Sequence, residues 1–308
     1  MADPVAAPLE LGSWSGTGVR VGDVERALED LRHGEQRAAT RTSVVTLVVV
    51  APDDERADRA CSAMHRLGAR HPGRTIVVVP DGAGPSRLDA RVSLQGGEAA
   101  GHMLWSEEVR LHVGGGAADH LDSLVEPLTL PELPVAVWFV DTLPRPADPV
   151  AAAADALIVD ARQIDGTDPQ AALAGVAELI RANVVVDLSW VRLTPWREIL
   201  AALFVGPHAA DVHRVTGAEV VGRPGPRHLV GGWLVDRLGL SRQGVRLVPD
   251  DHVRITLTTV DDGEATRYLV ERRGGEHIVR ARISTRHGDQ ASQVLALPDD
   301  SVPWSLGT

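Results

Sequence analysis

The sequence contains no lysine, and all 31 of its basic residues are arginines. Without lysine the chain cannot form a lysine Schiff base, use a lysine general base or build a GxxxxGK[ST] phosphate loop. A single cysteine, Cys61, excludes an intramolecular disulfide and a cysteine-ligated zinc site. Because Cys61 shares a predicted helix face with apolar residues, we interpret it as a small buried hydrophobic residue.

Long apolar stretches and concentrated positive charge are also missing. No run approaches the roughly 18 residues that span a bilayer, and the N-terminus lacks the basic and apolar segments of a secretory signal. We therefore expect a cytoplasmic protein. The net charge of −11 argues against nucleic acids and anionic membranes as partners. The length of 308 residues is sufficient for two globular domains.

Buried-strand patterns dominate the first half of the chain. Apolar runs at residues 44–50, 75–79 and 135–140 predict strands that are covered on both faces. A predicted helix from residue 53 to about residue 70 separates the first two runs, which gives a right-handed βαβ unit. Further extended segments are predicted at 88–94, 107–113 and 157–159, and a helix at 117–125. We predict that residues 1–165 form an α/β domain with a mostly parallel or mixed sheet.

A cluster of turn-forming residues at 165–169, DGTDP, predicts the domain boundary. Beyond it, helical patterns at 169–181, 194–205 and about 229–238 precede four extended segments at 245–248, 253–260, 265–272 and 276–284. Turn signals separate the last three of these segments, which is typical of antiparallel hairpins. We predict that residues 166–308 form an α+β domain with antiparallel hairpins.

The segment DLSWVRLTPWREILAALF at residues 187–204 concentrates two tryptophans and two arginines around a predicted helix start. Thr194 is a suitable N-cap, and Pro195 fits the first helical position. Two interpretations stay open: a buried amphipathic helix anchored by tryptophan, or a surface that contacts a partner, where Trp and Arg are enriched. The candidate partner-binding residues are Trp138, Trp190, Arg192, Trp196 and Arg197.

Two further patterns suggest anion binding. The glycines Gly114, Gly115 and Gly116 stand between a predicted strand and a helix, where backbone N–H groups can hold a phosphate. The motif is not GxGxxG, so a plain turn is the main alternative. Arg254, Arg280 and Arg282 alternate with apolar residues, so each faces away from the apolar side of its strand. They form either a solvated face or a face that binds phosphate or carboxylate.

Catalytic and metal signatures are not found in the sequence. His208 and His213 lack metal-ligand spacing, and no GxSxG elbow positions a serine nucleophile. We therefore predict no catalytic residues, no metal and no cofactor. An unrecognised hydrolase or isomerase is the least favoured class.

Several segments, taken in order, resemble the glucose-6-phosphate dehydrogenase assembly protein family, also called OpcA. The segments are VVTLVVVAPD at 44–53, HPGRTIVVV at 71–79, SRLDARV at 86–92, LPELPVAVWFVD at 130–141, DPVAAAADALIVDAR at 148–162, DLSWVRLTPWREIL at 187–200 and GGWLVDRLGL at 231–240. Each motif is weak alone, but their order and spacing are specific.

The resemblance implies a non-enzymatic partner that binds glucose-6-phosphate dehydrogenase, promotes its assembly or allosteric activation, and supports the oxidative pentose phosphate pathway. The family is typical of actinobacteria and cyanobacteria, and the arginine-rich, lysine-free composition suits a high-GC actinobacterium. Two departures are evident: the chain ends in PDDSVPWSLGT rather than a charged helix, and Cys61 alone cannot provide intramolecular redox control. The alternative function is a regulatory module that binds a sugar phosphate or a nucleotide.

Overall fold

A computed structural model describes residues 9–34, 44–67, 73–99, 102–164, 166–261, 263–272 and 278–297. The described residues divide into two compact units. The first holds the residues up to Gly166 together with Gly175–Asp187, and the second holds Thr167–Ala174 and the residues from Leu188 onward. The limits 1–165 and 166–308 stay a prediction. Asp165 lies outside the described residues, and the segment Gly175–Asp187 returns to the first unit.

The first unit contains an eight-stranded mixed sheet. Its strands are β1 (Leu9–Gly16), β2 (Val45–Val50), β3 (Gly73–Asp81), β4 (Arg87–Ala99), β5 (His102–Gly114), β6 (Val135–Phe139), β7 (Ala156–Val159) and β8 (Val185–Asp187). Their spatial order is β1-β4-β5-β3-β2-β6-β7-β8. From β5 to β8 all neighbouring strands pair in parallel, whereas β4 is antiparallel to both β5 and β1. The predicted α/β fold with a mixed sheet is confirmed.

Helices connect these strands. They are α1 (Val21–Gly34), α2 (Asp54–Leu67), α3 (Leu121–Val125), α4 (Pro149–Ala152) and α5 (Pro169–Ile180), the last of which continues from the second unit into the first. The start of α2 is fixed by Asp53, whose carboxylate accepts the backbone N–H of Arg56 at 2.8 Å. On α1 the residues Val24, Ala27 and Leu28 are buried, which is the i, i+3, i+4 spacing of one helix face.

The second unit is built on a six-stranded sheet. Its strands are β9 (Val215–Gly222), β10 (Val245–Pro249), β11 (Val253–Asp261), β12 (Glu264–Arg272), β13 (Ile278–Thr285) and β14 (Gly288–Ala296). The spatial order is β10-β9-β11-β12-β13-β14, and every pair is antiparallel except β10 with β9. The predicted α+β domain with antiparallel hairpins is therefore confirmed.

One face of this second sheet is the apolar core of the unit. Ile255, Leu257, Tyr268, Val270 and Val279 are buried there. Three helices contribute to the same core: α6 (Leu188–Val191), α7 (Thr194–Ala202) and α8 (Pro226–Leu238). Since side chains alternate along a strand, the residues between the buried ones face outward and leave the second face of the sheet polar.

Local structure differs from the prediction at several points. The strands β1, β8, β9 and β14 are absent from the predicted set. The segment 117–125, predicted as one helix, consists of a 3₁₀ turn at Gly115–Asp119 followed by α3. Thr194 does not cap α7, because Leu193 occupies the N-cap position and makes no side-chain capping bond. None of the helices within the described ranges combines the length and apolar character needed to cross a bilayer.

Candidate functional site

Trp196 lies on α7 and is 7% exposed. It belongs to the apolar core of the second unit, together with Leu193, Leu200 and Leu203. The guanidinium of Arg272 lies 5.7 Å from the centre of its ring, at the outer limit of a cation–π contact. These contacts favour the interpretation of Trp196 as a packing anchor.

Trp190 and Arg197 form a pair beside this anchor. The Arg197 guanidinium lies 3.7 Å above the Trp190 ring, a close cation–π contact. Arg197 also donates from Nη2 to Thr194 Oγ1 at 2.7 Å, so Thr194 holds this side chain instead of capping the helix. Desolvation lowers the pKa of Arg197. Both residues are only partly buried, so part of the pair is open to solvent.

Trp138 and Arg192, the other two candidate partner-binding residues, are buried within the chain. Trp138 lies on β6 in the first unit, and Arg192 follows α6 in the second. Because of this burial neither side chain can meet a partner without a local rearrangement. Packing is the better supported interpretation for both, and a partner contact remains a prediction for Trp190 and Arg197.

The glycine turn at the end of β5 has a steric explanation. Gly115 has φ = +59°, and a Cβ at this position would lie 2.6 Å from the backbone carbon of Pro85. The Gly115 N–H donates to the Ala83 carbonyl at 3.3 Å. One of the backbone N–H groups that a phosphate would need is therefore already engaged. Gly114 ends β5 and Gly116 continues into a 3₁₀ turn of only five residues. Close backbone packing therefore accounts for these glycines, and anion binding by them stays an untested prediction.

The sheet arginines are brought together as their alternation predicts. Cross-strand register places Arg254 opposite Glu271, and Glu271 opposite Arg280. Arg282 stands opposite Leu269 on the same outward face and pairs with Glu271 at 3.2 Å. All three candidate arginines therefore share the outward face of the second sheet.

A cleft of about 570 Å³ opens on this outward face. Its polar lining comprises three arginines, three hydroxyl residues and one glutamate: Arg246, Arg254, Arg267, Thr256, Thr258, Ser284 and Glu219. We call this feature the arginine cleft. Arg254 is the only one of the three sequence candidates in its lining. Sequence reasoning missed Arg246 and Arg267, because β9 was not among the predicted strands and the pairing register of the others was unknown.

Among the described residues, Glu219 is the only carboxylate in the lining of the arginine cleft. It forms an ion pair with Arg246, and it contacts Arg254 Nη2 at 3.5 Å. Arg267 is exposed, and no ion pair joins it to any residue that the structure describes. Three guanidinium groups against one carboxylate leave two positive charges on a chain whose net charge is −11.

A second charged cluster lies at the carboxyl ends of β2 and β6. In the sheet β2 lies between β3 and β6, so the chain continues from β2 to β3 on one side and returns later to β6 on the other. Open α/β sheets bind ligands at the carboxyl ends of the strands at such a position. Asp141, with φ = +55°, is buried there and contacts Arg59 at 2.6 Å and Arg56 at 3.3 Å. The position holds arginine–aspartate pairs rather than a glycine-rich phosphate loop. In the sequence, the only signal was an aspartate after a buried strand.

A polar network in the second unit involves Tyr268, Asp211 and His208. The buried Tyr268 hydroxyl donates to the Asp211 carboxylate, which also contacts His208 Nδ1 at 3.1 Å. The hydrogen bond from Tyr268 lowers the pKa of Asp211, and burial raises that of Tyr268. Phe204 stacks on Tyr268 at 4.3 Å between ring centres. The network ties the segment Gly206–Arg214 to the sheet and has no free nucleophile.

Within the described ranges, no group of three or more His, Cys, Asp or Glu side chains is arranged to hold a metal ion. His208 contacts Asp211 and Tyr268, as described above, and His213 is exposed in the same segment. The expectation of no metal stays a prediction for the whole chain.

Cys61 is expected to be chemically unreactive in the folded protein. It is buried on α2, and burial, followed by the Glu108 charge, raises the pKa of its thiol to about 12. At pH 8 the thiolate fraction then falls about a thousandfold below that of a free cysteine. Alkylation by iodoacetamide should be slower by about this factor in the native protein than in urea, as mass spectrometry can measure. Native and unfolded rates that agree within a few-fold would contradict this prediction.

Two family models match the chain, and both are described by their relation to glucose-6-phosphate dehydrogenase. The model described as "Glucose-6-phosphate dehydrogenase subunit N-terminal domain" matches residues 64–178. The model of the C-terminal domain of the same glucose-6-phosphate dehydrogenase subunit matches residues 183–307. Together they cover well over half of the chain, the first ending at residue 178 and the second beginning at residue 183.

Curated relatives from three cyanobacteria are similar to the chain. OpcA proteins of Synechococcus elongatus and Nostoc punctiforme, whose names refer to the OxPP cycle, are 27% and 28% identical to it over 186 and 184 residues. A third, from Synechocystis, is 24% identical over 189 residues. Each alignment covers 56% of this chain, but only 41%, 39% and 38% of the respective relative. The chain thus aligns with about two fifths of the length of these relatives.

The relatives are cyanobacterial, so the expected actinobacterial origin receives no support from them. The resemblance noted in the sequence is nevertheless confirmed by both family models. The chain belongs to the OpcA family of glucose-6-phosphate dehydrogenase assembly proteins.

Proposed function

We propose that the chain is a non-catalytic assembly factor or allosteric activator that binds glucose-6-phosphate dehydrogenase in the cytoplasm and supports the oxidative pentose phosphate pathway. The observation that carries this proposal is the pair of family models, whose descriptions both refer to glucose-6-phosphate dehydrogenase. The full activity of the longer relatives belongs to this proposal, since the chain aligns with only part of their length.

Several described groups that could take part in catalysis are buried or paired within the chain, which supports a role without catalysis. The position at the ends of β2 and β6, where an α/β enzyme often binds its ligand, is bridged by Asp141 and two arginines. Cys61 is buried, and the Tyr268 hydroxyl is committed to Asp211. Each of these groups therefore contributes to the stability of the fold rather than to the activation of a nucleophile.

A contact surface for the dehydrogenase is suggested by exposed apolar residues near β8. Ile180 is 58% exposed at the end of α5, and Val184 is 67% exposed just before β8. Val186 on β8 is also exposed, and β8 is the edge strand of its sheet. Exposed apolar residues beside an edge strand are typical of a surface that binds another protein. We propose that this edge of the sheet contacts the dehydrogenase.

The test compares the kinetics of purified glucose-6-phosphate dehydrogenase from the same organism with and without the chain. We expect the chain to increase the kcat/KM of the dehydrogenase and to reduce no NADP when it is alone. Val184→Asp should place a charge in the contact and weaken binding at least about tenfold, or about 1.4 kcal/mol. Because Val184 is exposed, the melting temperature should stay unchanged.

The matched control is Val260→Asp, at another exposed valine in the second unit. It should leave both activation and binding at the wild-type level. NADP reduction by the chain alone would refute the non-catalytic role. Equal loss of binding in both variants would show that the β8 edge is not the specific contact.

A further inference from the structure

We propose that the arginine cleft of the second unit is a binding site for a phosphorylated sugar. The site lies on the polar face of the second sheet, and its lining comes from strands β9 to β13 together with Gly244. Its size of about 570 Å³ is in the range of small-molecule sites. The inference concerns the chain alone and does not rest on binding to the dehydrogenase.

The charge of the cleft matches a phosphate monoester. Arg246 and Arg254 share the single carboxylate of Glu219, which can neutralise only one of them. Arg267 has no ion-pair partner among the described residues. The two remaining positive charges correspond to the charge of about −1.5 to −2 that a phosphate monoester carries at neutral pH. Guanidinium groups also match the geometry of phosphate oxygens through paired hydrogen bonds.

The hydroxyl groups of the cleft stand beside Arg267. Register places Thr258 on β11 directly opposite Arg267 on β12, and Ser284 on β13 opposite Arg267 from the other side. Directly opposed residues have Cβ atoms about 4.5–5.5 Å apart, so one ligand can reach all three side chains. Thr256 and Glu219 continue the polar surface in the next row, where they are paired across β11 and β9. These groups can donate to and accept from the hydroxyls of a sugar.

The lining argues for a sugar rather than a nucleoside. The described residues that line it include no aromatic side chain, and Leu269 is the only large apolar residue among them. A nucleotide base is usually held by stacking on an aromatic ring, and stacking on one is worth about 1–3 kcal/mol per base in single-stranded nucleic acids. The guanidinium, hydroxyl and carboxylate groups of the cleft offer no ring on which a base could stack. They can bind both the phosphate and the hydroxyl groups of a sugar phosphate.

Isothermal titration calorimetry of the chain alone tests this site with four probes: glucose 6-phosphate, glucose, inorganic phosphate and AMP. We expect glucose 6-phosphate to bind with a Kd below about 1 mM. Glucose should not bind, since it lacks the charged group. Inorganic phosphate and AMP should each bind at least about tenfold more weakly than glucose 6-phosphate.

Two variants probe the cleft in different ways. Arg267→Ala removes an exposed cation, and it should weaken glucose 6-phosphate binding at least about tenfold, or about 1.4 kcal/mol. Gly217→Leu fills the cleft without removing a charge, and it should weaken binding as well. A Cβ at Gly217 meets only the Gly244 carbonyl, at 3.5 Å, so the strand can accept it. The control Arg237→Ala removes an exposed arginine from α8 and should leave binding unchanged.

Melting temperatures of all variants show whether each one is folded. The proposal is overturned if glucose 6-phosphate does not bind at millimolar concentrations, if AMP or inorganic phosphate binds as tightly, or if Arg237→Ala weakens binding as much as Arg267→Ala. Loss of dehydrogenase binding in Arg267→Ala without any phosphate binding would also overturn it, because the cleft would then be a protein contact. Failure of dehydrogenase binding with intact sugar phosphate binding would refute only the proposed function.

Discussion

Replacing Trp196 with alanine should lower the free energy of unfolding by about 3–5 kcal/mol. The ring is almost fully buried in the core of the second unit, where it packs with Leu193, Leu200 and Leu203. Removing it leaves a cavity that the surrounding helices and sheet can close only in part. Urea unfolding followed by circular dichroism measures the loss directly.

The matched control is Trp190→Ala in the same segment. Trp190 is only partly buried, and it holds the Arg197 guanidinium by a cation–π contact. We expect this variant to lose less stability than Trp196→Ala. If the two substitutions cost the same, or if Trp196→Ala is neutral, then Trp196 is not the anchor of the segment. A folded Trp190→Ala variant that binds the dehydrogenase more weakly would extend the contact surface to this pair.

The second large effect is expected for Glu107→Gln in the first unit. Glu107 on β5 accepts two hydrogen bonds from Arg32, at 2.7 and 2.8 Å, and one from Arg74 Nε at 2.9 Å. Arg74 is 4% exposed and also donates to the Leu128 carbonyl. Neutralising Glu107 leaves a buried guanidinium without its counter-charge. Breaking a buried pair in this way costs about 3–5 kcal/mol.

The control for this prediction is Glu10→Gln. Glu10 pairs with Arg91 at 3.1 Å, but both side chains are largely exposed. Solvent screens such a pair, so the melting temperature should remain almost unchanged. A Glu107→Gln variant as stable as Glu10→Gln would show that the buried arginines find other partners. Differential scanning calorimetry at neutral pH distinguishes the two results.

The sequence predicted the buried strands and missed those with weaker patterns. The apolar runs that became β2, β3 and β6 were recognised because parallel strands are covered on both faces. β1 and β14 escaped because edge strands pair on one side only and are rich in Gly, Ser, Asp and Gln. β8 has only three residues, too few for a periodic signal. Edge position and short length thus account for β1, β8 and β14. They do not account for β9, which was missed although it lies inside its sheet, or for β10, which was predicted although it is an edge strand.

The sequence also predicted only part of the candidate site. Alternation along single strands placed Arg254, Arg280 and Arg282 on one face, and the structure agrees. Which of them meet in one cleft depends on the register between strands, and the sequence does not specify it. Arg267 and Arg246 therefore joined the site only in three dimensions. For Trp138 and Arg192 the residue type suggested a partner-binding surface, but both side chains are buried by tertiary packing.

The most direct test of the proposed function is sedimentation velocity of the chain mixed with glucose-6-phosphate dehydrogenase from the same organism. We predict a faster-sedimenting complex at micromolar concentrations, with a fixed ratio of the two proteins and increased dehydrogenase activity in that fraction. Val184→Asp should reduce the amount of complex, and Val260→Asp should not. Independent sedimentation of the two proteins at tens of micromolar, with no change in activity, would contradict the assembly role.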